Sequence, residues 1–337
     1  MTYAAAGDPL GHTACLAHRA AFALLGVPLE IRSNSPSVIA AAEQAFGQWR
    51  GLAPELVVPV EPAIVSVVVH PVAPRLLDGE PRAFVQRVHG RCFLASDGVN
   101  MLTAQYDQGR GLAFVSPELL LRGDELLQNV LQLLALLLVT QHDRVPLHAG
   151  AVVQDGLAIL LAGPSTAGKS TLCYACLRDG FQLLAEDAVY VSRRPALRLW
   201  GLGRNVHLLP DAVRFFPELA DVPAQHQPNG KFKLTVDTSR FGPNRTVRHA
   251  ERAVVCLVER HSRAETLLEP IDPGLAIAIL SANQEPGFDL YEGTTAVAEA
   301  TVASGAYRLT VGHDLTRATA ALRTLTQMRF HKPRSAS

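Results

Sequence analysis

Two kinds of hydrophobic pattern divide this chain. Up to Val115, short apolar and β-branched runs recur between turn signals: Val27–Arg32 (VPLEIR), Ala63–His70 (AIVSVVVH), Phe84–Val88, Cys92–Ala95, Met101–Tyr106 and Leu112–Val115. The dipeptides His89-Gly90 and Asp97-Gly98 separate the later ones. Runs this short and closely spaced predict strands of an antiparallel sheet, with a helix over Ser37–Trp49 between the first two. Leu119–Gln141 is apolar nearly all round, which predicts a long helix held between packed layers.

After that helix the apolar runs lengthen. Leu147–Val153 and Leu157–Ala162 flank Gln154-Asp155-Gly156 and predict a hairpin. A helix is expected over Lys169–Arg178. Strands are expected at Gln182–Leu184, Val189–Val191, Phe232–Val236, Ala253–Glu259 and Tyr307–Val311. Further helices are expected at Pro273–Ser281, Thr294–Ala303 and Leu315–Phe330. Asp221–Gly230 and Thr238–His249 read as loops, and the residues from His331 onward as a short basic tail. The pattern divides the chain into an N-terminal α+β region (1–116), a connecting helix (117–144), an α/β domain (145–330) and the tail (331–337).

Composition narrows the function classes. Lys plus Arg and Asp plus Glu both number 31, so the formal net charge is zero. That balance argues against a nucleic-acid or membrane-surface partner, since either needs an excess of positive charge. With 48% hydrophobic and 18% charged residues, the chain can bury a sizeable core. Five scattered cysteines do not resemble a disulfide framework. The start, MTYAAAGDPLGH, lacks a basic segment followed by an apolar core, so no signal peptide is read there. Asn129–Thr140 is too short to span a bilayer, which takes about 20 apolar residues. The expected location is cytoplasmic.

The strongest chemical signal is Gly163-Pro164-Ser165-Thr166-Ala167-Gly168-Lys169-Ser170-Thr171. It satisfies G-x-x-x-x-G-K-[ST], follows the apolar run LAILLA and opens a predicted helix. Its glycines let successive backbone N–H groups face phosphate oxygens at a helix N-terminus. In that arrangement Lys169 reaches the β- and γ-phosphates and the Ser170 hydroxyl holds Mg²⁺. The cofactors expected are therefore ATP and Mg²⁺. Downstream, Ala185-Glu186-Asp187 places two acids at the end of an apolar strand, where a carboxylate can bind Mg²⁺ or take a proton from an attacking hydroxyl. Glu186 and Asp187 are therefore metal-ligand candidates beside Ser170. His148 starts the strand pair leading into the loop and is a third candidate. Cys173-x-x-Cys176 lacks a second pair and reads as helix packing. The histidines His12, His18, His70, His89 and His142 lack ligand spacing, and Asp124 and Glu125 read as solvated acids at a helix start.

His148-Ala149-Gly150, the glycine-rich loop and Ala185-Glu186-Asp187 together resemble HPr kinase/phosphorylase, a serine kinase family with a catalytic domain unlike that of ordinary protein kinases. The resemblance spans about Val145–Val191 and continues loosely through Trp200-Gly201-Leu202-Gly203. It implies an α/β fold, a P-loop-containing HPr-kinase-like core with an N-terminal α+β region, and phosphoryl transfer from ATP to a Ser hydroxyl. It also implies Asp187 as the base, His148 as its support, and Lys169 as the phosphate-binding cation. Where the family carries Glu and, two positions on, Arg ahead of the glycines, this chain has Arg198 and Trp200. Either Glu186 or Asp211 then stands in for the missing carboxylate, or a single metal is used. The family's late arginine has candidates in Lys231, Lys233, Arg240 and Arg245. These departures point to the divergent HPr-kinase-like proteins, some of which modify peptides in biosynthetic clusters such as those of lasso peptides.

The expected partner is a peptide or small protein approaching past Asp221–Gly230 and Thr238–His249, with the N-terminal region as a docking place and self-association left open. A non-catalytic nucleotide-binding regulatory module and a small-molecule kinase are the competing classes.

Overall fold

The computed structural model describes residues 14–70, 84–88, 92–123, 126–226, 231–260, 265–282 and 291–330. His12, His89, Asp124, Glu125 and the basic tail lie outside them. The chain forms two compact units, residues 1–142 and 143–337, and is a mixed α/β protein with several sheets.

The first unit is built on a seven-stranded sheet of β1 (His18–Leu24), β2 (Val27–Ser33), β3 (Ala63–Val69), β4 (Phe84–Val88), β5 (Cys92–Ser96), β6 (Met101–Gln105) and β7 (Arg110–Val115), ordered β1-β2-β3-β7-β6-β5-β4. β4 to β7 form the expected antiparallel meander, whereas β2–β3 and β3–β7 are parallel. The β2–β3 crossover runs through α1 (Pro36–Phe46), which buries Val38, Ala42 and Phe46. A helix between strands is the signature of a parallel step, so the antiparallel expectation fails at that step. The continuous helix expected over Leu119–Gln141 is in pieces: α2 (Pro117–Leu120), a π-helical stretch Leu126–Gln132 and α3 (Leu133–Val139). α3 lies on the sheet, where a Cβ on Gly111 of β7 would be 3.5 Å from Leu138 Cδ1. No helix among the described residues is long and apolar enough to cross a membrane.

The second unit carries β8 (Val145–His148), β9 (Gly150–Gln154), β10 (Leu157–Ala162), α4 (Lys169–Arg178), β11 (Gln182–Ala185), β12 (Ala188–Ser192), β13 (Arg198–Gly201), β14 (Asn205–Leu208), β15 (Ala224–His226) and β16 (Phe232–Asp237). It continues with β17 (His249–Ala250), β18 (Arg252–Arg260), β19 (Leu267–Pro270), α5 (Pro273–Ala282), α6 (Thr294–Val302), β20 (Ala306–Val311) and α7 (Leu315–Phe330). The strands make sheets ordered β11-β9-β10-β18-β20-β19, β17-β13-β12-β8 and β14-β16-β15. β10, β18 and β20 run parallel.

β10 is buried at every position because its two faces feed different cores. Leu157, Ile159 and Leu161 join one with α4 and α7, and Ala158, Leu160 and Ala162 join the other with β12, α5 and α6. The run expected as one strand over Leu147–Val153 is broken at Ala149: β8 pairs with β12 in the four-stranded sheet, and β9 pairs with β10 and β11 in the six-stranded one. The chain makes the same step in reverse at Glu186-Asp187, between β11 and β12. Two neighbouring crossovers therefore sit at the same end of the sheet as the loop after β10.

Candidate functional site

The glycine-rich segment spans the turn from β10 to α4. Gly163 takes φ 146° and Gly168 φ 95°, conformations open to glycine, and a Cβ on Gly163 would meet the Val258 carbonyl of β18 at 2.8 Å. Thr166, a β-branched residue, also has positive φ, at 75°. A left-handed conformation there costs about 1–2 kcal/mol, strain of the kind that concentrates at ligand-binding loops. Lys169 opens α4 and is 7% exposed; its Nζ donates to the carbonyls of Gly163 at 2.8 Å and Pro164 at 3.2 Å. The ammonium is thus turned onto the mouth of its own loop, and part of its role is structural.

The acids follow from the crossovers. Ala185 pairs with Ala151, near the β9 end where Gly150 faces Leu161. A Cβ on Gly150 would lie 2.8 Å from Cys173 Sγ and 3.1 Å from the Glu186 carbonyl, so glycine there lets β9 pass between α4 and the acid turn. Glu186 is buried, accepts a short hydrogen bond from Ser170 Oγ, and has His207 Nδ1 3.2 Å from its other oxygen. With Glu186 ionised, Nδ1 is the donor. His207 Nε2 is buried without a hydrogen-bond partner among the described residues. Asp187 points the other way: its side chain is about half exposed, and Oδ1 lies 3.5 Å from Nδ1 of the buried His148. That pair follows from the ladder in which His148 faces Ala188.

Of the three metal-ligand candidates, Ser170 and Glu186 are joined, whereas Asp187 has its contact with His148. Asp211 is on the surface with Arg214 at 3.2 Å, whereas Glu186 bonds Ser170, so Glu186 is the carboxylate beside the loop. Among the described residues no group of three or more His, Cys, Asp or Glu side chains could hold a metal ion on protein ligands alone. Ser170 and Glu186 nevertheless suit Mg²⁺ chemically. Both are hard oxygen donors, within contact of each other, and Mg²⁺ commonly takes one or two protein oxygens and completes its shell with phosphate and water. Cys173 and Cys176 are buried in the core under α4, and burial drives both thiols well above their ordinary pKa.

Arg198 and Trp200 serve packing. Arg198 pairs with Glu251 at 2.6 Å, and Trp200 is 1% exposed, donates to Ser192 Oγ, and has Arg144, Arg198 and the His249 ring around it. The following glycines are required by contact. A Cβ on Gly201 would sit 2.0 Å from the Leu184 carbonyl, and one on Gly203 would sit 2.8 Å from the carbonyls of both Leu183 and Leu184. These residues press directly on the strand that ends at the acids.

The segments expected as loops are partly built structure. β15 lies within Asp221–Gly230, of which 227–230 are outside the described residues. Within Thr238–His249, the Arg245 carbonyl accepts from Leu183 N, and the Leu183 carbonyl accepts from Val247 N. Arg245 lines a cavity of about 520 Å³ with Asp155 and Gly156, at the far end of β10 from the loop. Arg240 donates to the Glu218 carbonyl. Sequence reading missed Arg260 and His207. An ideal Cβ on Gly168 lies 2.7 Å from Arg260 Nε, so this guanidinium rests on the loop itself. A cation ending the strand parallel to β10 was the available signal for Arg260, and a polar residue inside the strand NVHL was the signal for His207.

No family model matches the chain. No curated protein matches it. Among solved structures it is similar to the HPr(Ser) kinase/phosphatase from Coxiella burnetii at a TM-score of 0.30 and 14% identity, covering 55% of this chain and 98% of that one.

Proposed function

We propose that the second unit is an ATP-dependent phosphotransferase with an HPr-kinase-like P-loop core, passing the γ-phosphoryl group to an alcohol, most simply a Ser hydroxyl of a peptide or small protein. The observation that carries the reading is the division of labour at the acid turn. Glu186 is buried against Ser170 of the loop, and Asp187, one residue on, is open to solvent beside His148. A triphosphate site with one inward and one outward carboxylate has a group for the donor and a group for the acceptor.

The roles follow from exposure and contact. Loop N–H groups and the start of α4 bind the phosphates, and Lys169, released from the Gly163 and Pro164 carbonyls, moves its charge onto them. Ser170 and Glu186 hold Mg²⁺, which when bound offsets charge on the phosphate oxygens. Asp187 accepts the acceptor's hydroxyl proton as the new O–P bond forms and the bond to the ADP oxygen breaks, then releases the proton to solvent. His148, fixed in β8, orients Asp187. These residues act by positioning and electrostatic stabilisation, which dominate phosphoryl transfer.

The test is mass spectrometry of peptides encoded beside this gene after incubation with the protein and Mg-ATP. One added phosphate on a Ser or Thr, absent with Lys169→Ala, supports the reading. ATP binding with no phosphorylated peptide or small hydroxyl compound favours a regulatory nucleotide-binding module instead.

A further inference from the structure

The acids and Arg260 stand on opposite sides of the loop. In the sheet order, β11 with Glu186 beyond its end lies to one side of β10, and β18, ending in Arg260, lies to the other. The guanidinium rests on Gly168, and its Nη2 reaches within 3.5 Å of Thr171 Oγ1. Its Cζ stands 6.0 Å from the centre of the Phe215 ring. Both side chains are exposed, Phe215 to 39%. Among the described residues Arg260 forms no ion pair, and its guanidinium makes a long hydrogen bond to Thr171. Phe215 also lines a cavity of about 460 Å³ with Arg214, His313 and the C-terminal end of α4 at Ala175 and Arg178.

We propose that Arg260 and Phe215 form the nucleoside end of the site, the guanidinium binding the phosphate nearest the ribose and the Phe215 ring stacking on the purine base. The inference rests on the nucleotide reading above and adds direction to it. With the transferred phosphate at the Glu186–Asp187 side, a triphosphate laid across the loop brings its ribose end to Arg260. An arginine offers planar, bidentate donation to phosphate oxygens. A base stacked on an aromatic ring gains about 1–3 kcal/mol. The ring and the guanidinium, both wet in the free protein, would then share one ligand.

The experiment is calorimetric titration of the full chain with Mg-ATP and, separately, with magnesium tripolyphosphate, which lacks a base. Phe215→Ala should weaken ATP binding about tenfold and leave tripolyphosphate within twofold. Arg260→Ala should weaken ATP binding by a similar factor, with Arg260→Lys recovering only part. Melting curves check that each variant is folded. If wild type binds ATP and both alanine variants bind it equally well, the nucleoside-end assignment is overturned while the nucleotide reading stands. If wild type binds neither ligand, both fall.

Discussion

His148 Nδ1 lies 3.5 Å from Asp187 Oδ1, the imidazole buried in the four-stranded sheet and the carboxylate half exposed. The two residues are held together by adjacent chain crossovers, because β8 and β12 pair so that His148 faces Ala188. A carboxylate fixed at its backbone, held beside a buried imidazole and half exposed at its head is suited to meeting a substrate hydroxyl.

The first prediction concerns that pair. Asp187→Asn should lower phosphoryl transfer about 10²–10⁴-fold, the usual contribution of a general base, and leave Mg-ATP affinity within a few-fold. Rapid-quench assays beside equilibrium titration separate the two quantities. Equal loss of binding and transfer would move Asp187 to the nucleotide.

Glu186 should matter through the metal. His207 holds the carboxylate oxygen that Ser170 does not, and removing such an outer partner typically costs about 10–100-fold in metal affinity. His207→Ala should therefore weaken ATP binding in Mg²⁺ and leave binding in EDTA unchanged. Equal weakening in both buffers would assign His207 to packing alone.

Gly201 tests the packing behind the acids. A Cβ there is 2.0 Å from the Leu184 carbonyl, which is backbone and cannot swing away. Gly201→Ala should destabilise by more than the roughly 1–3 kcal/mol of ordinary overpacking, seen as loss of the native melting transition. Gly47→Ala, whose Cβ would approach nothing nearer than the flexible Glu43 carboxylate at 3.8 Å, should be tolerated. A native-like melting curve for Gly201→Ala would contradict the close approach.

Acid should loosen the Trp200 cluster. Burial, reinforced by the positive charge of Arg198, lowers the His249 pKa below its ordinary 6.5. A histidine with a depressed folded pKa favours the fold when neutral, so its contribution is present above about pH 6.5 and is lost as pH falls through the lower folded value. Melting temperature should fall with pH in that window, with a smaller slope in His249→Gln. An unchanged slope would remove His249 as the group responsible.

Legibility in the sequence tracked how local each determinant is. The loop was legible because strand, glycines, lysine and helix start are contiguous, and α4 occupies the expected Lys169–Arg178. The unbroken apolar run LAILLA of β10 is the pattern of a strand buried on both faces. The split at Ala149 was hidden because an unbroken apolar run fits either one long strand or two strands changing sheets. The parallel pairing of β2, β3 and β7 was hidden because partner choice is non-local. At the site, Ser170 and the acid turn could be named, while the pairing of Ser170 with Glu186 rather than Asp187 depends on the crossover. Arg260 and His207 lie far along the chain, with no motif to carry them to the loop.

The central claim is that Gly163–Thr171 binds a triphosphate, and calorimetry of Mg-ATP with wild type and Lys169→Ala tests it most directly. Lys169 also bonds loop carbonyls, so melting curves accompany the titrations. Wild type should bind. The folded variant should bind about tenfold to a hundredfold more weakly, in keeping with the loss of charge-assisted hydrogen bonds worth about 1.5–3 kcal/mol. No binding by wild type, or equal affinity in a folded Lys169→Ala variant, would contradict the account.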